Sequence, residues 1–456
     1  MKEAATTDRS EEGGKEVPTL MLYNTMSRKK EPFKPLRGKK VKMFTCGPSI
    51  YQRPHIGNYR TFLYEDVLHR YLEYLDHEVE RVLNFTDVED KAIAEAKKEG
   101  TTLKDLTNRA ANNFFEDTKL LRIKPPTHNP RSSTTIDQAV HLIKVLLEKG
   151  YAYWHEGDVF YDPLKFKGFG KLYGLDMSRW PKKKRRFRKD TYTGARWNLG
   201  DFILWHGYKE GDEVYWDTEI GRGRPAWNIQ DAAMATKHLG FEIDISCGGV
   251  DNLYRHHDYT IAVAEGVSGK EYARYWLHGE HLLVDGKKMS KSRGNIVYLD
   301  DLLEQGYGPE HIRFFLISEH YGKKMNFTKK GLEDARKKLD DLRDIVKRLA
   351  DTEASITKSD GSVEDLIYRL TLRFKEHMDD DLDVRGAFDA LLEILSKLGR
   401  VKKEGRLSRF ERQRIIQELG SIDKVLQVIF PVGRSRKALP FPPAPFGIDY
   451  QACNKK

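Results

Sequence analysis

The feature that most constrains the fold is a change of hydrophobic period early in the chain. Val41-Lys42-Met43-Phe44-Thr45-Cys46 alternate loosely and carry β-forming side chains, so they read as a strand. Gly47 and Pro48 break it. Leu63, Val67, Leu68, Tyr71, Leu72 and Leu75 then recur at helical spacing, and Arg81-Val82-Leu83-Asn84-Phe85 returns to a strand-like pattern. Strand, glycine turn, helix and strand form the repeating unit of a parallel α/β sheet. The pattern resumes at Ile243-Asp244-Ile245-Ser246, running into Cys247-Gly248-Gly249. Between them, from about 150 to 225, the chain is rich in Trp, Tyr and Gly, with short β-like pieces such as Asp158-Val159-Phe160-Tyr161. It also holds the basic run Lys182-Lys183-Lys184-Arg185-Arg186. This stretch is expected to be an insertion between two halves of the sheet domain.

A chain of 456 residues is too long for one ordinary core and predicts two to four domains. From about 328, Leu332, Ala335, Leu339, Leu342, Val346 and Leu349 step by three and four. Further helical stretches fall near 363–378, 384–402 and 408–430, with a polar break at 351–362, so a helical bundle is expected. The expected division is a flexible tail at 1–20, a sheet domain at 21–327 with its insertion at about 120–225, a bundle at 328–435 and an irregular tail at 436–456. No stretch approaches the roughly 18 apolar residues of a membrane span. The polar Met1–Val17 segment lacks the apolar core of a secretory signal. Three cysteines, Cys46, Cys247 and Cys453, make neither a disulfide framework nor an all-cysteine zinc site, and a reducing cytoplasm is the expected location. A formal charge of +10 points weakly to polyanionic partners.

Two short motifs carry chemistry. Pro54-His55-Ile56-Gly57-Asn58 lies between a strand and a helix, where free N–H groups and the helix dipole favour phosphate and Gly57 permits close approach. Lys288-Met289-Ser290-Lys291-Ser292, followed by Arg293-Gly294-Asn295, offers mobile cations and hydroxyls that suit a triphosphate. Alone, the first reads more readily as a turn with a surface histidine and the second as a solvated basic loop.

Together, in this order and separation, they resemble the paired HIGH and KMSKS signatures of class I aminoacyl-tRNA synthetases. The likeness extends to the cysteinyl branch through Phe44-Thr45-Cys46-Gly47-Pro48-Ser49-Ile50-Tyr51, Leu22-Tyr23-Asn24-Thr25 and Asn84-Phe85-Thr86-Asp87-Val88-Glu89-Asp90-Lys91. Asp201-Phe202-Ile203-Leu204-Trp205, Gly223-Arg224-Pro225-Ala226-Trp227, Gly248-Gly249-Val250-Asp251 and Met378-Asp379-Asp380-Asp381-Leu382 match as well. The resemblance implies a Rossmann-type catalytic domain with a connective insertion, then a helical bundle that binds tRNA. It implies ATP with Mg²⁺ as cofactor, an amino acid, most naturally cysteine, as substrate, and tRNA as acceptor. By the same resemblance His55, Asn58, Lys288 and Lys291 would act on the phosphates. Gly57, Gly248, Gly249 and Asp251 would border the nucleotide, with Asp251 accepting from the ribose hydroxyls. Cys46, Thr86, Trp227 and Asp231 would form the amino-acid pocket.

The sequence departs from the family at the zinc that binds the substrate thiolate. The family's ligands are two cysteines, a histidine and a glutamate. Here Cys46 and His256 stand at two of these positions, Asp231 replaces the second cysteine, and Thr260 replaces the glutamate. Positions 256 and 260 share a helix face and therefore could share a metal. Cys247 and Ser246 replace a glycine and a histidine beside the nucleotide site, Cys247 as a small buried filler. Three readings stay open: zinc held by Cys46, Asp231 and His256; cysteine selected without zinc; or a pocket for another amino acid. The acceptor is also open, since one relative joins cysteine to an amino sugar. A tRNA-binding or regulatory protein without ligase activity is the remaining alternative, against which the intact motifs speak.

Overall fold

The computed structural model describes residues 19–179, 200–253, 255–351 and 363–431. The basic run at 182–186 and Cys453 lie outside the described residues. Among the described residues, a four-stranded parallel sheet forms the centre, from β1 (Lys40–Thr45), β2 (Glu78–Leu83), β3 (Ile243–Gly249) and β4 (Ala273–Gly279), in the order β4-β3-β1-β2. Helix α1 (Ile56–Tyr74) joins β1 to β2. α2 (Trp227–Leu239) leads into β3, and α3 (His256–Ser268) joins β3 to β4. The chain runs from β1 to one side and later returns on the other. The strand ends of β1 and β3 therefore flank a topological switch point, where open α/β sheets bind ligands.

The second strand begins and ends earlier than its 81–85 pattern suggests. Asn84 leaves the sheet to accept from Gly47 N at 2.8 Å, and Phe85 bridges to Arg131. The stretch between the sheet halves contains helix Ile136–Glu148 and an antiparallel sheet of Ala152–His155, Asp158–Tyr161, Phe202–Gly207, Trp216–Thr218 and Gly221–Pro225.

The C-terminal part forms α4 (Lys329–Ala350), α5 (Glu364–Asp379), α6 (Val384–Lys403) and α7 (Arg409–Leu426). Leu332, Leu339, Leu342, Val346 and Leu349 are buried along one face of α4, as their spacing requires, whereas Ala335 is half-buried. The bundle is tied to α1. Arg313, on helix Pro309–Ile317, donates to Asp66 of α1 at 2.7 Å with both side chains fully buried, and donates also to Leu426 O. Tyr71 of α1 donates to Asp379 at 2.6 Å. No described helix is long and apolar enough to cross a membrane.

Candidate active site

A cleft of about 400 Å³ opens at the switch point, lined by residues of both motifs, among them His55, Gly57, Asn58, Lys288 and Met289, and by Cys46, Trp227, Gly249, Asp251 and Asn252. α1 starts at Ile56, with His55 as its N-cap. The His55 ring accepts from Asn58 N, while Asn58 Oδ1 accepts from His55 N at 3.0 Å. This reciprocal box fixes the turn that faces the cleft. Burial lowers the His55 imidazole below its ordinary value.

The two motifs touch. A methyl placed on Gly57 would lie 2.6 Å from Met289 Cε, and Ile56 N donates to Val297 O at 3.0 Å. The lysine loop is braced internally, with Ser290 N donating to Asn295 Oδ1 at 3.0 Å and Arg293 Nη1 donating to Lys288 O at 3.1 Å. Lys288 Nζ pairs with Asp251 at 3.1 Å, and His281 Nε2 lies 3.5 Å from the same oxygen. Lys291 borders an adjoining cavity of about 210 Å³, with Arg53, Glu95, Glu99 and Arg109.

Behind the cleft, Cys46, Asp231 and His256 bring sulfur, oxygen and nitrogen donors within 4.8 Å of one another. Asp231 projects from the first turns of α2. It accepts from Asn84 Nδ2 at 2.9 Å and from His256 Nε2 at 2.5 Å, and lies 3.4 Å from Cys46 Sγ. Asp231 and His256 are buried, while Cys46 is half-buried at the cleft wall. Trp227 stacks on the His256 ring with centroids 3.8 Å apart. Burial, reinforced by the Asp231 carboxylate, pushes the Cys46 thiol well up, so without a cation it stays protonated. Soft and hard donors converging on one point, with one side open to the cleft, suit a zinc ion with three protein ligands.

Two expected site residues, Gly248 and Thr86, do not line the cleft, and Thr260, at the family's fourth ligand position, does not join the donor cluster. Thr260 is buried on the same face as His256, but its hydroxyl donates to the His256 carbonyl at 3.1 Å instead of joining the donor cluster. A threonine in a helix finds its own backbone acceptor first. Gly248 is buried behind the cleft, where its carbonyl accepts from Tyr64 OH at 2.8 Å and a methyl would meet His257 at 2.9 Å. Gly249, one residue on, is the one that reaches the cleft. Thr86 is buried and ties the 48–50 loop through its backbone, accepting from Ile50 N at 3.0 Å. Cys247 is buried in β3, as a small filler would be.

Sequence reasoning missed Asn84, Asn252 and Arg53. Asn252 accepts from Gly249 N and donates to Cys46 Sγ at 3.1 Å, joining the end of β3 to the donor cluster. Nothing local in the sequence marks this contact, which spans two distant segments.

The family model described as tRNA synthetases class I (C) catalytic domain matches residues 32–337. A cysteine–tRNA ligase of Brachyspira hyodysenteriae is 39% identical over 82% of this chain and 80% of its own. One from Protochlamydia amoebophila is 36% identical over 91% and 87%. Among solved structures, methionyl-tRNA synthetase of Mycobacterium tuberculosis bound to methionyl-adenylate superposes with a TM-score of 0.60 at 14% identity, covering 86% of this chain and 90% of that one. That likeness establishes the fold, and the sequence matches establish the kinship. The chain belongs to the cysteinyl family of class I tRNA synthetases.

Proposed function

We propose that the chain activates cysteine with ATP and transfers it to tRNA in the cytoplasm. The observation that carries this reading is the meeting of both phosphate motifs and a thiol-bearing, metal-competent pocket in one cleft. The cysteine carboxylate attacks the α-phosphorus of ATP, which enters with Mg²⁺; pyrophosphate leaves, and a terminal ribose hydroxyl of tRNA then takes the acyl group. No protein nucleophile is required, so catalysis is positioning and charge stabilisation.

In this reading His55 and Asn58 hold the phosphate–ribose region from the first turn of α1. Lys288 and Lys291 neutralise the triphosphate, Lys291 by swinging from its adjoining cavity. Gly249 and Asp251 border the ribose, where a carboxylate accepts from both hydroxyls. Cys46, Asp231 and His256 hold zinc, with Trp227 packing the His256 ring in place. Bound there, zinc supplies a Lewis acid that prefers a substrate thiolate to a hydroxyl, separating cysteine from serine.

One observation favours a second reading. Asp231 and His256 already satisfy each other across 2.5 Å, and Thr260 offers no fourth donor, as expected of a pocket that selects its amino acid without metal. ATP–pyrophosphate exchange with each amino acid, measured beside metal content and tRNA charging, decides. Exchange with cysteine, one zinc per chain and charged tRNA support the first reading. Exchange without bound zinc, whether with cysteine or with another amino acid, supports the second. No exchange with any amino acid sinks both.

A further inference from the structure

We propose that Arg53 is a positioning residue that clamps the Lys288–Ser292 loop to the turn carrying His55, an inference that rests on the function proposed above. Arg53 lies two residues before His55 and borders both the main cleft and the cavity that holds Lys291. Its guanidinium forks between two carboxylates. Nε donates to Asp117 Oδ2 at 3.0 Å and Nη2 to Asp117 Oδ1 at 2.5 Å. On the other side Nη1 donates to Asp300 Oδ2, and Nη2 reaches Asp300 Oδ1 at 3.1 Å.

Three segments meet at this one side chain. Asp117 belongs to helix Leu103–Leu120, is wholly buried, and also accepts from Tyr59 OH at 2.6 Å, so it is a fixed anchor. Asp300 belongs to the short helix Leu299–Glu304, which begins seven residues after Ser292 of the lysine loop, and its side chain is 46% exposed. It is the end free to move. The Ile56 N to Val297 O bond runs beside the clamp and ties the same two segments through backbone alone. Only a planar guanidinium satisfies both carboxylates at once; a lysine is a single point charge without the fork. The exit of the loop is thereby fixed relative to α1, and with it the distance Lys288 and Lys291 must cover to reach the phosphates.

The test uses the full chain with Arg53→Gln, Asp300→Asn, the double variant and Arg53→Lys. Asp300 is half-exposed and Asn is isosteric with it, so its variant should keep the fold. Backbone hydrogen exchange over 286–304 is expected to accelerate roughly tenfold in either single variant, and no further in the double, with the bundle unchanged. In pyrophosphate exchange kcat should fall about tenfold while KM for the amino acid holds. Arg53→Lys should resemble Arg53→Gln. Unchanged protection of 286–304, additive effects in the double variant, or wild-type kcat with lysine would each overturn the clamp. A wild-type chain without pyrophosphate exchange sinks the proposed function, while hydrogen exchange still decides the clamp.

Discussion

Asp231→Ala should destabilise the metal-free protein by about 2–6 kcal/mol. The carboxylate is the acceptor for two buried donors, Asn84 Nδ2 at 2.9 Å and His256 Nε2 at 2.5 Å. Each donor left buried without a partner costs about 1–3 kcal/mol, and the two sum to the stated range. The Cys46 thiol at 3.4 Å is a weaker donor and adds little. A change of tautomer brings His256 no relief, because its Nδ1 is also buried without a partner. The measurement is thermal unfolding in chelator, for wild type, Asp231→Ala and Asp231→Cys. Zinc is then added back. At about one hundred times the dissociation constant it stabilises a binding protein by roughly 2.7 kcal/mol. Wild type and Asp231→Cys should gain this, and Asp231→Ala should not. Wild-type stability of Asp231→Ala in chelator would refute the hydrogen-bond account. An equal response of Asp231→Ala to zinc would refute the three-donor site.

Other perturbations separate architecture from chemistry. A methyl on Gly47 would sit 1.8 Å from the Asn84 carbonyl oxygen, which no rotamer relieves; Gly47→Ala should lower stability by about 1–3 kcal/mol or more, and an unchanged melting temperature would count against the packing. On Gly57 the same methyl meets the flexible end of Met289. Gly57→Ala should therefore keep its melting temperature yet lose about tenfold in pyrophosphate exchange, and the reverse pattern would contradict the site. Lys291→Ala should lose at least about tenfold in that assay, and wild-type exchange would remove Lys291 from the reaction. Burial pushes the His69 imidazole down to about 4, against the pull of its Glu73 hydrogen bond. A base depressed on folding contributes stability that is complete above pH 6.5 and is lost as pH falls toward 4. His69→Leu should flatten that acid slope in unfolding experiments; an unaltered slope would show that His69 is not its source.

What could be read from the sequence was what the chain writes contiguously. The 41–85 segment carries its period, its glycine break and its motif within one supersecondary unit, so strand, turn and helix were legible together. The bundle was legible because α4 keeps one apolar face over its whole length. Thr260 shows where such reasoning stops. Helical spacing placed it correctly beside His256, but spacing does not reveal that the hydroxyl prefers a backbone carbonyl one turn back. Gly248 and Gly249 show the same limit at a strand end, where a single step decides which residue is buried and which meets the cleft. Asn252 and Arg53 had no signal, because their partners, Cys46, Asp117 and Asp300, come close only after the sheet and its helices have assembled.

On the proposed assignment, the Lys288–Asp251 pair would make nucleotide binding a trade. The carboxylate proposed to greet the ribose is already engaged by a cation of the loop, 3.1 Å away, with both side chains more than half exposed. An exposed pair of this kind is worth at most about 1 kcal/mol and weakens in salt. On the proposed assignment, an arriving ribose would take Asp251 from Lys288 at little cost, and the displaced lysine would be released beside the incoming phosphates. Each nucleotide that docks would set free one positive charge at the place where negative charge has just arrived, so loop release and substrate arrival keep a one-to-one count.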